Sequence, residues 1–206
     1  MAGTRVARTT NRRGQGERLR EELLDAAYAL LVDTGDASGL SLRAVAARAG
    51  VAATSVYLHF ADLQAIKVAL AQRGFAAFAT ARDQARSGVD DPAVLLIAGC
   101  QVYARWAVDH PQLYRLMFSA DLSPTFADPG APNRTAFDAL VASVRRCQDA
   151  GASPAGGDPL WTATLIWTAL HGQVVLRHDR PHFPWAPLDE MVRDLAVRLA
   201  GLDPTR

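Results

Sequence analysis

Apolar residues recur along almost the whole chain with the 3.6-residue period of an α-helix, and strand-like alternation is nearly absent. From Glu17 to Val32, the residues Leu19, Leu23, Leu24, Ala27, Leu30 and Leu31 share one face. That predicts an amphipathic helix ending around Asp33 to Gly35. Ser41 can cap a short second helix that runs to Ala49 and stops at Gly50. A third short helix is expected from about Ala53 to Phe60, and Asp62 can cap a long fourth helix toward Arg86.

The second half is punctuated by proline. Asp91-Pro92 is an N-cap followed by proline at the first helical position, and its helix carries Leu95, Leu96, Tyr103 and Trp106 as far as His110-Pro111. A shorter apolar segment reaches Phe118, and Ser119 to Asn133 is loop by composition. Another helix is predicted from about Arg134 to Ala150, followed by a Gly/Pro stretch from Gly151 to Gly157. Asp158-Pro159 opens the most apolar helix, through about Arg177; with so little polar face it should be buried on more than one side. After a break from His178 to Pro187, Leu188, Met191, Val192, Leu195 and Leu199 mark one face of a last helix. The predicted fold class is all-α, without internal repeats or coiled-coil heptads.

At 206 residues, half of them hydrophobic, the chain can bury a substantial core. No apolar run reaches the roughly 18 to 20 residues of a spanning helix, and no apolar segment follows the N-terminal arginines as in a signal peptide. The expected location is therefore cytoplasmic, with no membrane partner. Cys100 and Cys147 lie far apart and read as buried thiols. The sequence has no His-x-x-x-His or Cys-x-x-Cys spacing and no Gly-rich phosphate loop after a strand. These readings leave no metal, no cofactor and no constellation for an enzyme.

Net charge is only +1 at pH 7, but it is unevenly distributed. Before Glu21 stand Arg5, Arg8, Arg12, Arg13, Arg18 and Arg20, against Glu17 alone. Such an arm can neutralise phosphates or enter a minor groove; it can equally be a solvated tail.

The segment from Leu42 to Phe60 changes the weight of that observation. Two short helices meeting at about a right angle need a small residue for close approach, which Ala46 supplies. They need a residue tolerant of positive φ in the turn, which Gly50 supplies, and apolar side chains between them, which are Val45, Val51 and Val56. This is helix-turn-helix spacing, leaving the helix from about Ala53 free to enter a major groove.

At this point the chain resembles a family. Ser41-Leu-Arg-Ala-Val-Ala-Ala-Arg-Ala-Gly-Val51, then Ser55-Val-Tyr-Leu-His-Phe60 and a long connecting helix, are similar to the N-terminal domain of TetR-family regulators over about Glu17 to Leu70. The resemblance implies a basic arm over residues 1–16, a DNA-binding domain over 17–66 and an effector-binding and dimerisation domain over 67–206. It implies that Tyr57 and His59 contact phosphates with help from Ser41 and Ser55. Arg43, Ala53 and Thr54 would face base edges; Arg12 and Arg13 are DNA-binding candidates from the charge of the arm. Hydroxyl and imidazole donors can fix register on a duplex, and Arg can pair with a guanine edge. For Tyr57, packing against the first helix is the alternative; for Arg48, a solvated surface position competes with phosphate contact. One departure is Leu63, which stands where the family usually carries a phosphate-holding Lys. Anchoring would then fall to that helix's own N-terminal amides or to the arm.

In the C-terminal half, Trp167-Thr-Ala-Leu-His171-Gly172 resembles the Trp…His-Gly signature of one TetR subclass, and Tyr103 to Phe118 is similar to the same group. Gly172 inside a helix suggests close approach of a partner helix. His171 reads as a satisfied interior or interface histidine or as a pocket group. Tyr103, Trp106, Met117, Phe118, Trp167 and His171 are the candidate pocket lining. No charged residue clearly points inward, which suggests an apolar or aromatic effector. The last two helices suit a four-helix homodimer interface, and a two-fold suits a palindromic double-stranded operator. The implied function is a ligand-released repressor; the alternative is a DNA-binding regulator without a small ligand, controlled by a partner protein or constitutive.

Overall fold

The computed structural model describes residues 15–122, 130–153 and 157–203. Arg12 and Arg13, with the rest of the arm as far as residue 14, lie outside the described residues. Helices are the regular elements there, with two short 3₁₀ turns at 37–39 and 120–122, and no strand occurs among the described residues. The chain forms two compact units that divide inside one helix, at Leu70 and Ala71, four residues past the expected boundary.

The first unit holds α1 (Gln15–Thr34), a 3₁₀ turn (Ala37–Gly39), α2 (Leu42–Arg48), α3 (Ala53–Val56) and the start of α4 (Leu63–Ala85). Its core is Leu23, Leu24, Ala27, Leu31, Leu40, Val45, Ala46, Val56, Phe60, Ile66 and Leu70, all buried. These include the inward stripe of α1 and the inner positions of the short helices, so hydrophobic burial sets the arrangement. Ser41 caps α2 by accepting the Ala44 amide at 3.1 Å. The turn after α2 is fixed by Gly50, whose φ of 69° lies in the left-handed region. There the amide of Gly50 reaches the Ala47 carbonyl at 3.2 Å and that of Val51 reaches the Ala46 carbonyl at 3.0 Å, a Schellman closure. Ala46 is buried, as a close crossing of α2 requires.

The third helix is shorter than the expected Ala53 to Phe60, its α-helical run ending at Val56. The Val56 carbonyl accepts from both His59 and Phe60, each at 2.9 Å, so the chain tightens into a turn that carries Phe60 into the core.

The second unit holds the remainder of α4, then α5 (Pro92–Asp109), α6 (Pro111–Met117), α7 (Pro132–Asp149), α8 (Pro159–Asp179) and α9 (Leu188–Ala200). The carboxylate of Asp91 accepts from the amides of Ala93 and Val94, and that of Asp158 from Leu160, each ahead of an N-terminal proline. Leu96, Ile97, Cys100, Val144, Cys147, Ile166, Leu170, Val174, Val192 and Ala196 bring α5, α7, α8 and α9 into one core. Arg105 grips Asp189 through two nitrogens at 2.6 and 2.7 Å, fastening α5 to the start of α9.

The expectation that α8 is buried on more than one side is corrected within the chain. Thr162, Ala163, Ile166, Leu170 and Val174 face the core, while Leu160, Trp161, Leu165 and Leu176 are exposed. Gly172 likewise meets nothing: a Cβ built there finds no atom within 4 Å. The expected close approach is not made by the described residues. No helix among the described residues is long and apolar enough to cross a membrane.

Candidate nucleic-acid interface and cavity

The helix-turn-helix has a buried side and an open side. Val45, Ala46, Val56 and Phe60 hold the core, while Ser41, Arg43, Ala53, Thr54 and Tyr57 are exposed and Ser55 and His59 half-exposed. Tyr57 is 60% exposed, so most of its side chain stands open to solvent. Beside it Leu58 is 77% exposed, a bare apolar side chain that the pattern alone did not single out. The spacing held a signal for it, since Leu58 lies between two core positions, Val56 and Phe60, on a tight turn.

Ser41 already accepts the Ala44 amide, yet its hydroxyl proton remains free to donate to a phosphate. His59 lies near the beginning of α1: a Cβ on Gly16 would stand 3.9 Å from its Cε1. The root of the basic arm is thus beside the end of the reading turn. Arg18 pairs with Glu22, and Arg20 lies over the Phe60 ring at 5.0 Å, so both serve α1. Arg48 is paired with Asp33 at 2.6 Å, tying α2 to the end of α1. At Leu63, the N-terminal amides of α4 are already engaged in part. Asp62 accepts from Ala65 at 2.8 Å and sets a negative charge where a phosphate would otherwise dock.

The second unit encloses a cavity of about 420 Å³, within the range of small-ligand sites. Tyr103, Trp106, Met117, Phe118 and Trp167 line it, together with Phe75, Phe78, Tyr114 and Phe137. His171 is not on the wall. It stands behind Tyr114, whose hydroxyl is 2.5 Å from His171 Nδ1 and 2.5 Å from the hydroxyl of Tyr103. The arrangement that satisfies all three has Tyr103 donating to Tyr114 and Tyr114 donating to Nδ1. Burial holds the His171 ring below its ordinary pKa, which favours the neutral ring.

Burial likewise pushes the Tyr103 hydroxyl up to about 12 against the lowering effect of its hydrogen bonds to Tyr114 and Trp167. Tyr114 is raised by burial and then by Tyr103, and burial lifts the Cys100 thiol on the same wall to about 12. All are neutral near pH 7, which suits binding and gives no activated nucleophile. Among the described residues no group of His, Cys, Asp and Glu is placed to hold a metal ion.

The reading that no charged residue points inward is corrected: Arg82, Arg86 and Arg134 are on the wall. The sequence could not separate them from solvated surface arginines, because facing the cavity depends on how the helices around it pack.

Residues 23–70 match the tetR family of bacterial regulatory proteins, and residues 96–199 match the tetracyclin repressor-like C-terminal domain. An uncharacterized HTH-type transcriptional regulator from Haemophilus influenzae is 29% identical over 117 residues, which are 57% of this chain and 54% of that protein. The chain thus spans about half the length of that curated relative. A solved protein with unknown function from Rhodococcus sp. RHA1 is 30% identical, with a TM-score of 0.75 over 89% of this chain and 95% of that one. The TetR family transcriptional regulator PfmR from Thermus thermophilus shares the fold, at 19% identity and a TM-score of 0.65 over 87% of this chain and 97% of that one.

Proposed function

Because the chain belongs to the TetR family of bacterial regulatory proteins and is a DNA-binding transcriptional regulator rather than an enzyme, we propose that it is a homodimeric, cytoplasmic repressor released from a palindromic operator by a small effector. The observation that carries this reading is the open side of the helix-turn-helix. Its polar and small side chains bear none of the core and are free to meet a duplex. Tyr57 and His59, with Ser41 and Ser55, hold phosphates, while Arg43, Ala53 and Thr54 meet base edges. With Asp62 occupying the start of α4, the arm through Arg12 and Arg13 supplies the anchoring that Leu63 does not.

The unpartnered stripe of α8, in which Trp161, Leu165, Gly172 and Leu176 follow at helical spacing, supports a second copy packing there. The C-terminal domain is of the Trp…His-Gly subclass: Trp167 faces the cavity, His171 fixes Tyr114 and Gly172 opens the outer face. The cavity is the effector site. Phe75 and Phe78 of α4 line it, and the same helix begins directly after the reading turn, so an occupant bears on that helix. Effector and operator then weaken each other by one and the same coupling energy.

The test is fluorescence anisotropy of the purified protein on the intergenic DNA beside its own gene, across a salt series, with Tyr57→Ala as control. Tight, strongly salt-dependent binding is expected, weakened on the order of tenfold or more in the variant at equal thermal stability. Binding no tighter than to random DNA, or a variant equal to the parent, would refute the assignment of this face.

A further inference from the structure

We propose that the cavity takes an organic monoanion, an apolar or aromatic body carrying one carboxylate, with the carboxylate held by Arg82 and Arg86. The inference rests on the cavity being the effector site. Along α4 and the residue after its end, Phe75, Phe78, Arg82 and Arg86 follow at i, i+3, i+7 and i+11, so one stripe of the wall changes from aromatic to cationic. The aromatic end is fixed by Phe78 lying 5.8 Å from the Tyr103 ring and 6.1 Å from that of Trp106. A short connection turns α4 back into α5, so the cationic end lies where α5 begins, against Leu95 and Gly99. Gly99 leaves that end roomy, since a Cβ there would meet nothing within 4 Å.

The charges on this wall are unbalanced. Among the described residues no Asp or Glu lines it beside the three arginines. Arg134 is exposed and paired with Asp138 at 3.0 Å, so it has its own partner. Arg82 is only 25% exposed, and its bond is to its chain neighbour Asp83, which is 66% exposed and largely in water. Arg86 is half-buried, and its side chain has no partner among the described residues. A guanidinium against an apolar cavity is costly unless an anion meets it, and two at i, i+4 match the two oxygens of a carboxylate. Ser119 Oγ and Asn133 Oδ1 are also buried on this wall without a partner, so a pure hydrocarbon would leave them unpaired. An ammonium would meet repulsion from both arginines.

The test is calorimetric titration of the full chain with two matched series. One is octanoate, octanol and octylammonium; the other is naphthylacetate, naphthylethanol and naphthylethylammonium. In at least one series the carboxylate is expected on the order of tenfold tighter than the alcohol, with the ammonium weakest. Arg86→Gln or Arg82→Gln should reduce the carboxylate's advantage to within about twofold and leave the alcohol's affinity unchanged, which also shows the cavity intact. An alcohol that binds as well as its acid, or an advantage that survives both substitutions, overturns the anion assignment and leaves the effector site standing. If none of the six binds, the effector-site reading fails and this inference fails with it.

Discussion

Tyr103, Tyr114 and His171 form a polar chain through an otherwise apolar core, and burial disfavours the charged form of the His171 ring within it. Burial holds the folded-state pKa of this ring below its ordinary 6.5, whereas the unfolded chain protonates it at that ordinary value. As pH falls below about 6.5 the unfolded state therefore takes up a proton the folded state refuses, and stability declines until the lowered pKa is passed. Above that window the contribution is fully present. Scanning calorimetry from pH 7.5 to 5 should show a larger fall in Tm for the parent than for His171→Gln; equal slopes would count against this account. The sequence allowed His171 either an interior or a pocket role, and the structure gives it the first, one step from the second. What the sequence could not show is the partner: Tyr103 and Tyr114 stand on different helices and meet only because α5 and α6 fold back at His110-Pro111.

Among the elements, Gly50 has the sharpest requirement. Its left-handed φ lets both carbonyl closures of α2 form, and a side chain there is strained although the space is open. Gly50→Ala should cost about 1–2 kcal/mol in urea unfolding followed by a signal from the first unit. A neutral substitution would mean that the turn relaxes without loss. Helix starts and stops of this kind were legible in the sequence because they depend on a few local atoms, as at Asp91-Pro92, Asp158-Pro159 and Ser41. The length of α3 was not. Its regular helix ends at Val56, where one carbonyl accepts from both His59 and Phe60 as Phe60 enters the core, and that is decided by the core rather than by propensity. The cationic wall of the cavity escaped for a similar reason: periodicity marks which face of α4 is apolar, not what closes over its last turn.

At the scale of the whole molecule, the outer stripe of α8 is the feature that one chain leaves unfinished. The pattern showed a helix apolar on nearly all sides, and the chain covers one of them. Trp161 is 68% exposed, so replacing it leaves the interior of the chain untouched. Trp161→Glu should convert a dimer to a monomer in analytical ultracentrifugation with an unchanged far-ultraviolet spectrum. Affinity for a palindromic operator should then fall to near that for a half-site. A dimer that persists in the variant would move the interface elsewhere.

The division of labour in the helix-turn-helix also bears on how such a protein changes over generations. Val45, Ala46, Val56 and Phe60 keep the unit folded, and Arg43, Ala53, Thr54, Tyr57 and Leu58 add little to its core. Mutations that most often fail selection are those that push a marginally stable fold below its threshold. On the outer face that penalty is small, so the preferred operator can drift one base contact at a time while the scaffold beneath it stays nearly constant. Descendants of this chain would then diverge first in which genes they govern and only much later in how they fold.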